Sequence, residues 1–159
     1  MIFVTVGTQP NGFLRCLKEV EALVKKYNIK EEVVAQIGNT KFESEIIKTI
    51  PFVGETEFKE YIKTASLVIT HAGSGAIFSS IKAGKKVIAV ARLHEYNEMA
   101  DNHQTELVKK LTLDGYILDG TYSLSDAWLK AQNFVPRKND FQNRIIDFLN
   151  HYIEDALSK

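Results

Sequence analysis

The chain has 159 residues, 45% of them apolar, which suits one domain with a substantial core rather than two. Its 20 Lys and Arg balance 20 Asp and Glu, and no basic run stands out, so a nucleic-acid-binding protein is not expected. No stretch approaches the ~20 apolar residues that span a bilayer, and the start of the chain lacks the charged n-region of a signal peptide, which points to the cytoplasm.

Residues 2–6 form a β-rich run that stops at Gly7-Thr8-Gln9-Pro10-Asn11-Gly12, a cluster of turn formers. From Phe13, the residues Leu14, Leu17, Val20, Leu23 and Val24 recur at spacings of three and four, the stripe of an amphipathic helix. Cys16 sits in that stripe and reads as a packed thiol in a reducing compartment. Residues 32–37 are a second strand closed by Gly38-Asn39-Thr40, residues 50–54 a short extended piece, and Phe58, Tyr61 and Ile62 mark the next helix. The apolar run 67–69 then meets His71-Ala72-Gly73-Ser74-Gly75, and Ile77, Phe78 and Ile81 resume at helical spacing: strand, tight loop, helix.

Gly84-Lys85-Lys86 stops that helix, and residues 87–91 make a buried strand. Residues 92–104 break the pattern with a polar row, Arg92, His94, Glu95, Asn97, Glu98, Asp101, Asn102, His103 and Gln104, which no core is expected to use. Leu107, Val108 and Leu111 restore a helix, residues 116–118 give a last strand, and Ser123 caps a helix carrying Trp128 and Leu129. From Asn139 a long terminal helix is expected, its stripe of Phe141, Ile145, Phe148, Leu149, Tyr152, Ile153 and Leu157 fit for docking on the body or on a partner.

Repeated βα units predict an α/β, Rossmann-like, doubly wound and mostly parallel sheet, with ligands at the carboxyl ends of its strands near a switch point. Three loops fall at that edge: residues 7–12, 71–75 and 92–104. A loop of small residues that opens a helix leaves backbone N–H groups free to face an anion, which the helix dipole also favours, so a phosphate-bearing ligand is the natural guest. A βα turn that binds nothing is the alternative. Dehydrogenases want Gly-x-Gly-x-x-Gly after the first strand, P-loops want Gly-Lys-Ser/Thr, and a hydrolase elbow wants Gly-x-Ser-x-Gly; none of these is present. The four histidines show no metal-ligand spacing, and no Asp-x-Asp stands ready to hold a divalent ion on a diphosphate, so no metal or other cofactor is expected.

With these residues in view the chain resembles the short bacterial exopolysaccharide glycosyltransferase subunits of the PssE type. It is more distantly similar to the eukaryotic Alg13 subunit, all related to the C-terminal half of glycosyltransferase family 28. The resemblance rests on Val4-Thr5-Val6-Gly7-Thr8, Gln36-Ile37-Gly38, Thr70-His71-Ala72-Gly73-Ser74-Gly75 with Ile77-Phe78, Gly84-Lys85-Lys86-Val87-Ile88, Ala91-Arg92, and Asn97-Glu98 through Asp101-Asn102-His103-Gln104.

The resemblance implies that residues 1–159 are a single GT-B-type donor-binding half with a C-terminal helix. It further implies an inverting transfer of a hexose, such as galactose or N-acetylglucosamine, from a UDP-sugar to a lipid-diphosphate-linked saccharide acceptor in exopolysaccharide or capsule assembly. The acceptor-binding half is then a membrane-anchored Alg14-like (PssD-like) subunit, which holds this chain at the inner face of the membrane. Gly7, Thr8, His71, Gly73, Ser74 and Gly75 are expected on the donor phosphates, His71 through a charge-assisted hydrogen bond. Ser79, Asn97, Glu98, Asp101, Asn102, His103 and Gln104 are expected on ribose or sugar, and His94, Glu95, Glu98 and His103 are candidates for the general base.

Two departures from the family pattern bear on function. Ser79 stands where relatives commonly carry a glutamate, a ribose ligand, and the first loop lacks a residue or two of the family's Gly-Thr-His-Glu-Gln-Pro. They keep open a rival reading, a non-catalytic subunit that stabilises or activates a partner transferase; self-association of the isolated chain is expected instead through the apolar stripe of the terminal helix.

Overall fold

The computed structural model describes residues 1–138; the terminal helix expected from Asn139 lies outside the described residues. Six strands, β1 (Ile2–Thr5), β2 (Val33–Gln36), β3 (Lys48–Ile50), β4 (Leu67–His71), β5 (Lys86–Val90) and β6 (Leu118–Asp119), form one sheet in the order 3-2-1-4-5-6. Every pairing is parallel, with Val4 of β1 set between Ala35 of β2 and Ile69 of β4. Among the described residues five α-helices, α1 (Leu14–Lys26), α2 (Glu55–Thr64), α3 (Ser74–Lys82), α4 (His103–Leu113) and α5 (Leu124–Ala131), connect and flank the strands.

Side chains alternate across the sheet and both faces are covered, so the central strands are buried throughout and read as unbroken apolar runs. On one face Ile2, Val4, Ile69, Ile88 and Val90 meet α1 through Leu17 and Val20 and α5 through Leu124 and Ala127. On the other, Phe3, Val34 and Val68 meet Ile62 of α2, while Val87 and Ala89 meet Ile77, Ile81, Leu107 and Val108 of α3 and α4. Phe3 stacks on Tyr61 at 5.1 Å and takes Phe58 edge-on at 5.6 Å, which fixes α2 against β1. Cys16 is fully buried and its thiol is pushed up to about 12, chiefly by that burial, so it is a packing residue as its stripe predicts.

Two strand boundaries differ from the sequence reading. The extended piece expected at 50–54 is β3, three residues pairing only with β2; Lys48 is exposed and Thr49 half-buried, and an edge strand of that kind leaves no apolar run to see. Tyr116 and Ile117 lead into β6 rather than lying in it, buried in the α3–α4 cluster. The chain runs outward from β1 through β2 and β3, then returns to β4, so the order reverses between β1 and β4. That switch point opens a crevice at the carboxyl ends of the two strands. No helix among the described residues is long and apolar enough to cross a membrane.

Candidate functional site

The three sequence-predicted loops do leave the carboxyl ends of the adjacent strands β1, β4 and β5. The first, residues 7–12, is held by its carbonyls. Arg92 donates from Nη1 to the carbonyls of Asn11 (2.9 Å) and Gly12 (3.0 Å) and from Nη2 to that of Val6 (3.0 Å). Asn39 Nδ2 donates to the carbonyls of Thr8 and Gln9, both at 3.1 Å. The Gly7 carbonyl lies against Gly38, where a Cβ would overlap it, and Gly38 itself has φ +56. Among the described residues the N–H groups of Gly7, Thr8, Gln9, Asn11 and Gly12 find no acceptor. A loop with carbonyls turned to protein donors and amides left over is a concave anion receptor.

The second loop supplies more such donors. Gly73 is the N-cap of α3, with no side-chain cap, and the first bond back into the helix runs from Ile77 N–H to the Gly73 carbonyl at 3.1 Å. Among the described residues, the amides of Ser74, Gly75 and Ala76 therefore stay unpaired at the positive end of the helix dipole. Ser74 and Gly75 are exposed, and nothing lies within 4 Å of a Cβ built on Gly75.

His71 joins the two loops. Its ring sits where side chains on Gly7 and Gly73 would go: a Cβ on Gly7 would lie 2.6 Å from Nε2, and one on Gly73 would overlap it. Nδ1 is 3.4 Å from the Thr5 carbonyl, which can only accept, so a bond there requires the Nδ1–H tautomer and leaves a lone pair on Nε2. Burial pushes the imidazole down to about 4, the Thr5 carbonyl opposes this, and Arg92 adds to it. At neutral pH His71 in the unliganded protein is thus an uncharged wedge that spaces the two glycine loops, and a charge-assisted bond of the kind expected from the resemblance needs a ligand phosphate to hold the proton there.

The third segment, residues 92–104, also departs from expectation, because the interior does use part of its polar row. Arg92, Glu98 and Gln104 are 1%, 8% and 9% exposed. Glu98 takes Arg15 of α1 as a two-pronged partner, Nε to Oε1 and Nη2 to Oε2, each 2.9 Å, and its Oε2 also accepts the Leu93 N–H. Arg15 donates further to the carbonyls of Ala91 and Thr121, tying α1 to the ends of β5 and β6. Gln104 Oε1 accepts the Arg92 N–H at 3.0 Å. A buried polar group is tolerated when its bonds are met, and here most are met by one another and by the backbone, Arg92 Nε being the exception among the described residues.

The remaining residues of that row stay outside. His94, Glu95, Asn97, Asp101 and Asn102 are exposed, with Asn97 in the left-handed region at φ 55. Asn102 Oδ1 accepts the His94 N–H, and Asp101 Oδ1 accepts the His103 N–H at the start of α4. His103 Nδ1 is 3.6 Å from Glu106. Of the four base candidates, Glu98 has its carboxylate oxygens committed to Arg15 and Leu93, whereas His94, Glu95 and His103 reach solvent at the carboxyl edge. Ser79 is half-buried on α3.

Sequence reading missed Arg15, Gly38 and Asn39 as parts of the site. Arg15 hides as one polar residue among the apolar positions of α1, and Gly38-Asn39 reads simply as the end of a strand. A separate surface recess of about 420 Å³, lined by Glu21, Lys25, Glu43, Ser44, Glu45 and Ile46, shares no residue with the glycine loops.

Residues 1–132 match the glycosyltransferase family 28 C-terminal domain. The human UDP-N-acetylglucosamine transferase subunit ALG13 is 30% identical over 123 residues, covering 73% of this chain and 10% of its own length, so the chain spans about a tenth of that relative. The Candida glabrata subunit of the same name is 24% identical over 139 residues, covering 84% of this chain and 67% of its own. Among solved structures, the solution structure of ALG13 superposes with a TM-score of 0.62 at 19% identity, covering 93% of each chain. The Streptomyces glycosyltransferase SsfS6, complexed with thymidine diphosphate, superposes at 0.55 and 15% identity, over 84% of this chain and 35% of its own. The fold is thus one half of a GT-B glycosyltransferase, Alg13-like in its sequence, and the chain belongs to the glycosyltransferase family 28 C-terminal domain family.

Proposed function

We propose that this chain is the donor-binding, catalytic subunit of an inverting two-component glycosyltransferase that uses a UDP-sugar. The observation that carries the reading is the set of unpaired amides on residues 7–12 and at the start of α3, gathered around His71 at the switch point. As the glycosidic bond breaks, the leaving UDP gains negative charge, and fixed N–H donors stabilise it without reorganising. On this reading Gly7, Thr8, Gly73, Ser74 and Gly75 bind the diphosphate through backbone, so no metal ion is required. Gln104, whose Oε1 is occupied by the Arg92 N–H, offers its Nε2 to a donor-sugar hydroxyl, and Asn97, Asp101 and Asn102 present exposed polar groups beside it. Ser79 is the weak ribose contact of the site.

The transfer proceeds by attack of an acceptor hydroxyl on the anomeric carbon from the face opposite UDP, and a base takes the hydroxyl proton. His94, Glu95 and His103 are the candidates with solvent access on this chain; the partner is the other source. The acceptor is a lipid-diphosphate-linked saccharide of surface-polysaccharide assembly, brought by a membrane-anchored Alg14-like subunit as in the bacterial PssE-type systems the sequence resembles. The peripheral location of this chain at the inner membrane face then follows from the partner.

The test is co-purification with the product of the adjacent reading frame and a UDP-release assay over a panel of UDP-hexoses. Release from one donor, lost in Gln104→Ala and in Gly75→Val, supports the reading. No release from any donor, with UDP failing to bind at millimolar concentration, favours the non-catalytic subunit to which Ser79 points.

A further inference from the structure

Arg92 is the largest fully buried side chain among the described residues, and its place is unusual in three ways. Its donors go to carbonyls of the first glycine loop at both ends, Val6 on one side and Asn11 and Gly12 on the other, with Nε left without a partner among the described residues. Its guanidinium packs 4.6 Å from the Phe13 ring, which begins the helix after that loop. No carboxylate pairs with it among the described residues: the acid nearest in kind, Glu98, has both oxygens held by Arg15. A buried cation without a carboxylate is expensive, and a protein seeking only to close a loop has neutral donors for the purpose.

We propose that Arg92 is a positioning residue for the nucleoside diphosphate: it fixes loop 7–12 with carbonyls inward and amides free, and it lends its positive charge to the anion those amides hold. The inference rests on the donor-site reading above and names a residue that does not itself touch the ligand. The loop's own geometry supports it, since each carbonyl that Arg92 draws inward belongs to a peptide flanking one of the unpaired amides. The charge also helps to keep the His71 imidazole neutral. Lysine is a poor substitute, because one ammonium lacks the planar fork that spans both ends of the loop.

The test compares UDP with uridine by calorimetry on the full-length chain, since the two ligands differ only in the diphosphate. The wild type is expected to bind UDP at least tenfold tighter than uridine. Arg92→Met is expected to lose at least tenfold in UDP affinity with uridine affinity within about twofold, and Arg92→Lys at least threefold in the ratio of the two. An unchanged UDP-to-uridine ratio in Arg92→Met, with or without a lower melting temperature, overturns the proposal, because a merely structural arginine moves both ligands together. If circular dichroism shows Arg92→Met unfolded, Arg92→Lys decides by the same ratio: a threefold fall supports the role and an unchanged ratio overturns it. A wild-type chain that prefers UDP no more than uridine refutes the donor-site reading itself, and the role of Arg92 with it.

Discussion

Replacing Gly73 by alanine isolates the contact that joins the two glycine loops. Gly73 has φ −74 and ψ 126, a conformation open to any residue, so alanine there carries no backbone strain. On chain entropy alone it would stabilise the protein by about 0.4–1 kcal/mol. The contact reverses the sign: the new Cβ would overlap His71 Nε2 and stand 2.9 Å from Cε1. The ring has little room to retreat, with the Thr5 carbonyl 3.4 Å from Nδ1 and Gly7 behind Nε2. Overpacking of this kind costs about 1–3 kcal/mol, so Gly73→Ala should lose roughly 1–2 kcal/mol net. That corresponds to a fall in melting temperature of about 2–8 °C for a chain of this size. His71→Ala alone removes a packed ring and is expected to cost about 2–3 kcal/mol. In the double variant the new methyl occupies space the imidazole has left, so the loss should be smaller than the sum by about 1–2 kcal/mol. Urea unfolding of the four proteins at pH 7 measures this coupling. Additivity to within about 0.5 kcal/mol would refute the wedge, since independent sites behave in that way.

Further outcomes follow from the same geometry. His71 stays neutral in the folded protein down to about pH 4, whereas its ordinary value is 6.5. The unfolded chain therefore binds the extra proton first: stability from this group is complete above pH 6.5 and drains away as pH falls toward 4, by roughly 3 kcal/mol at most. His71→Ala should lack that slope in urea midpoints, and a nuclear magnetic resonance titration of His71 centred near 6.5 would contradict it. Glu98→Ala strands Arg15 and the Leu93 N–H in a buried setting and should cost about 3–5 kcal/mol, read by denaturant unfolding. Gly38→Ala meets both a positive φ and the Gly7 carbonyl, so a loss of at least about 2 kcal/mol is expected, together with weaker UDP binding. Cys16 should resist thiol reagents at pH 8 in the native protein and react at once in denaturant; rapid native labelling would show that its burial is not maintained.

The layered fold was legible because its signals are local. Unbroken apolar strands placed β1, β4 and β5 within a residue or two, three-four stripes marked the helices α1 to α4, although α4 begins at His103, ahead of its apolar stripe, and Ser123 caps α5 by accepting the Asp126 N–H as its position suggested. The three loops at one edge follow from parallel alternation alone. What stayed hidden depends on partners far apart in the chain. Arg92, Glu98 and Gln104 sit in a row of exposed polar neighbours, and nothing within that row tells which of them turns inward; the answer lies in Arg15 and in the carbonyls of residues 6, 11 and 12. His71 was recognised but its burial was not, because its place between two side-chain-free positions is a property of the assembled loops. β3 was misplaced for the opposite reason: an edge strand needs so little apolar surface that it writes almost no pattern.

The anchoring of residues 7–12 has a consequence for how folding and ligand binding are linked. The loop's carbonyls are held by Arg92, some 80 positions away along the chain, and by Asn39, about 30 away. Contacts of such sequence separation form late, after the entropy of closing long segments has been met. The receptor thus exists only once β1, β2 and β5 are in register, and a chain with any of these strands detached has no receptor. On the proposed donor-binding reading, a diphosphate ligand would bind the native state alone and raise the stability of the whole sheet by mass action, about 2.7 kcal/mol at a hundredfold excess over its dissociation constant. For such a protein the global unfolding transition itself reports occupancy of the loop.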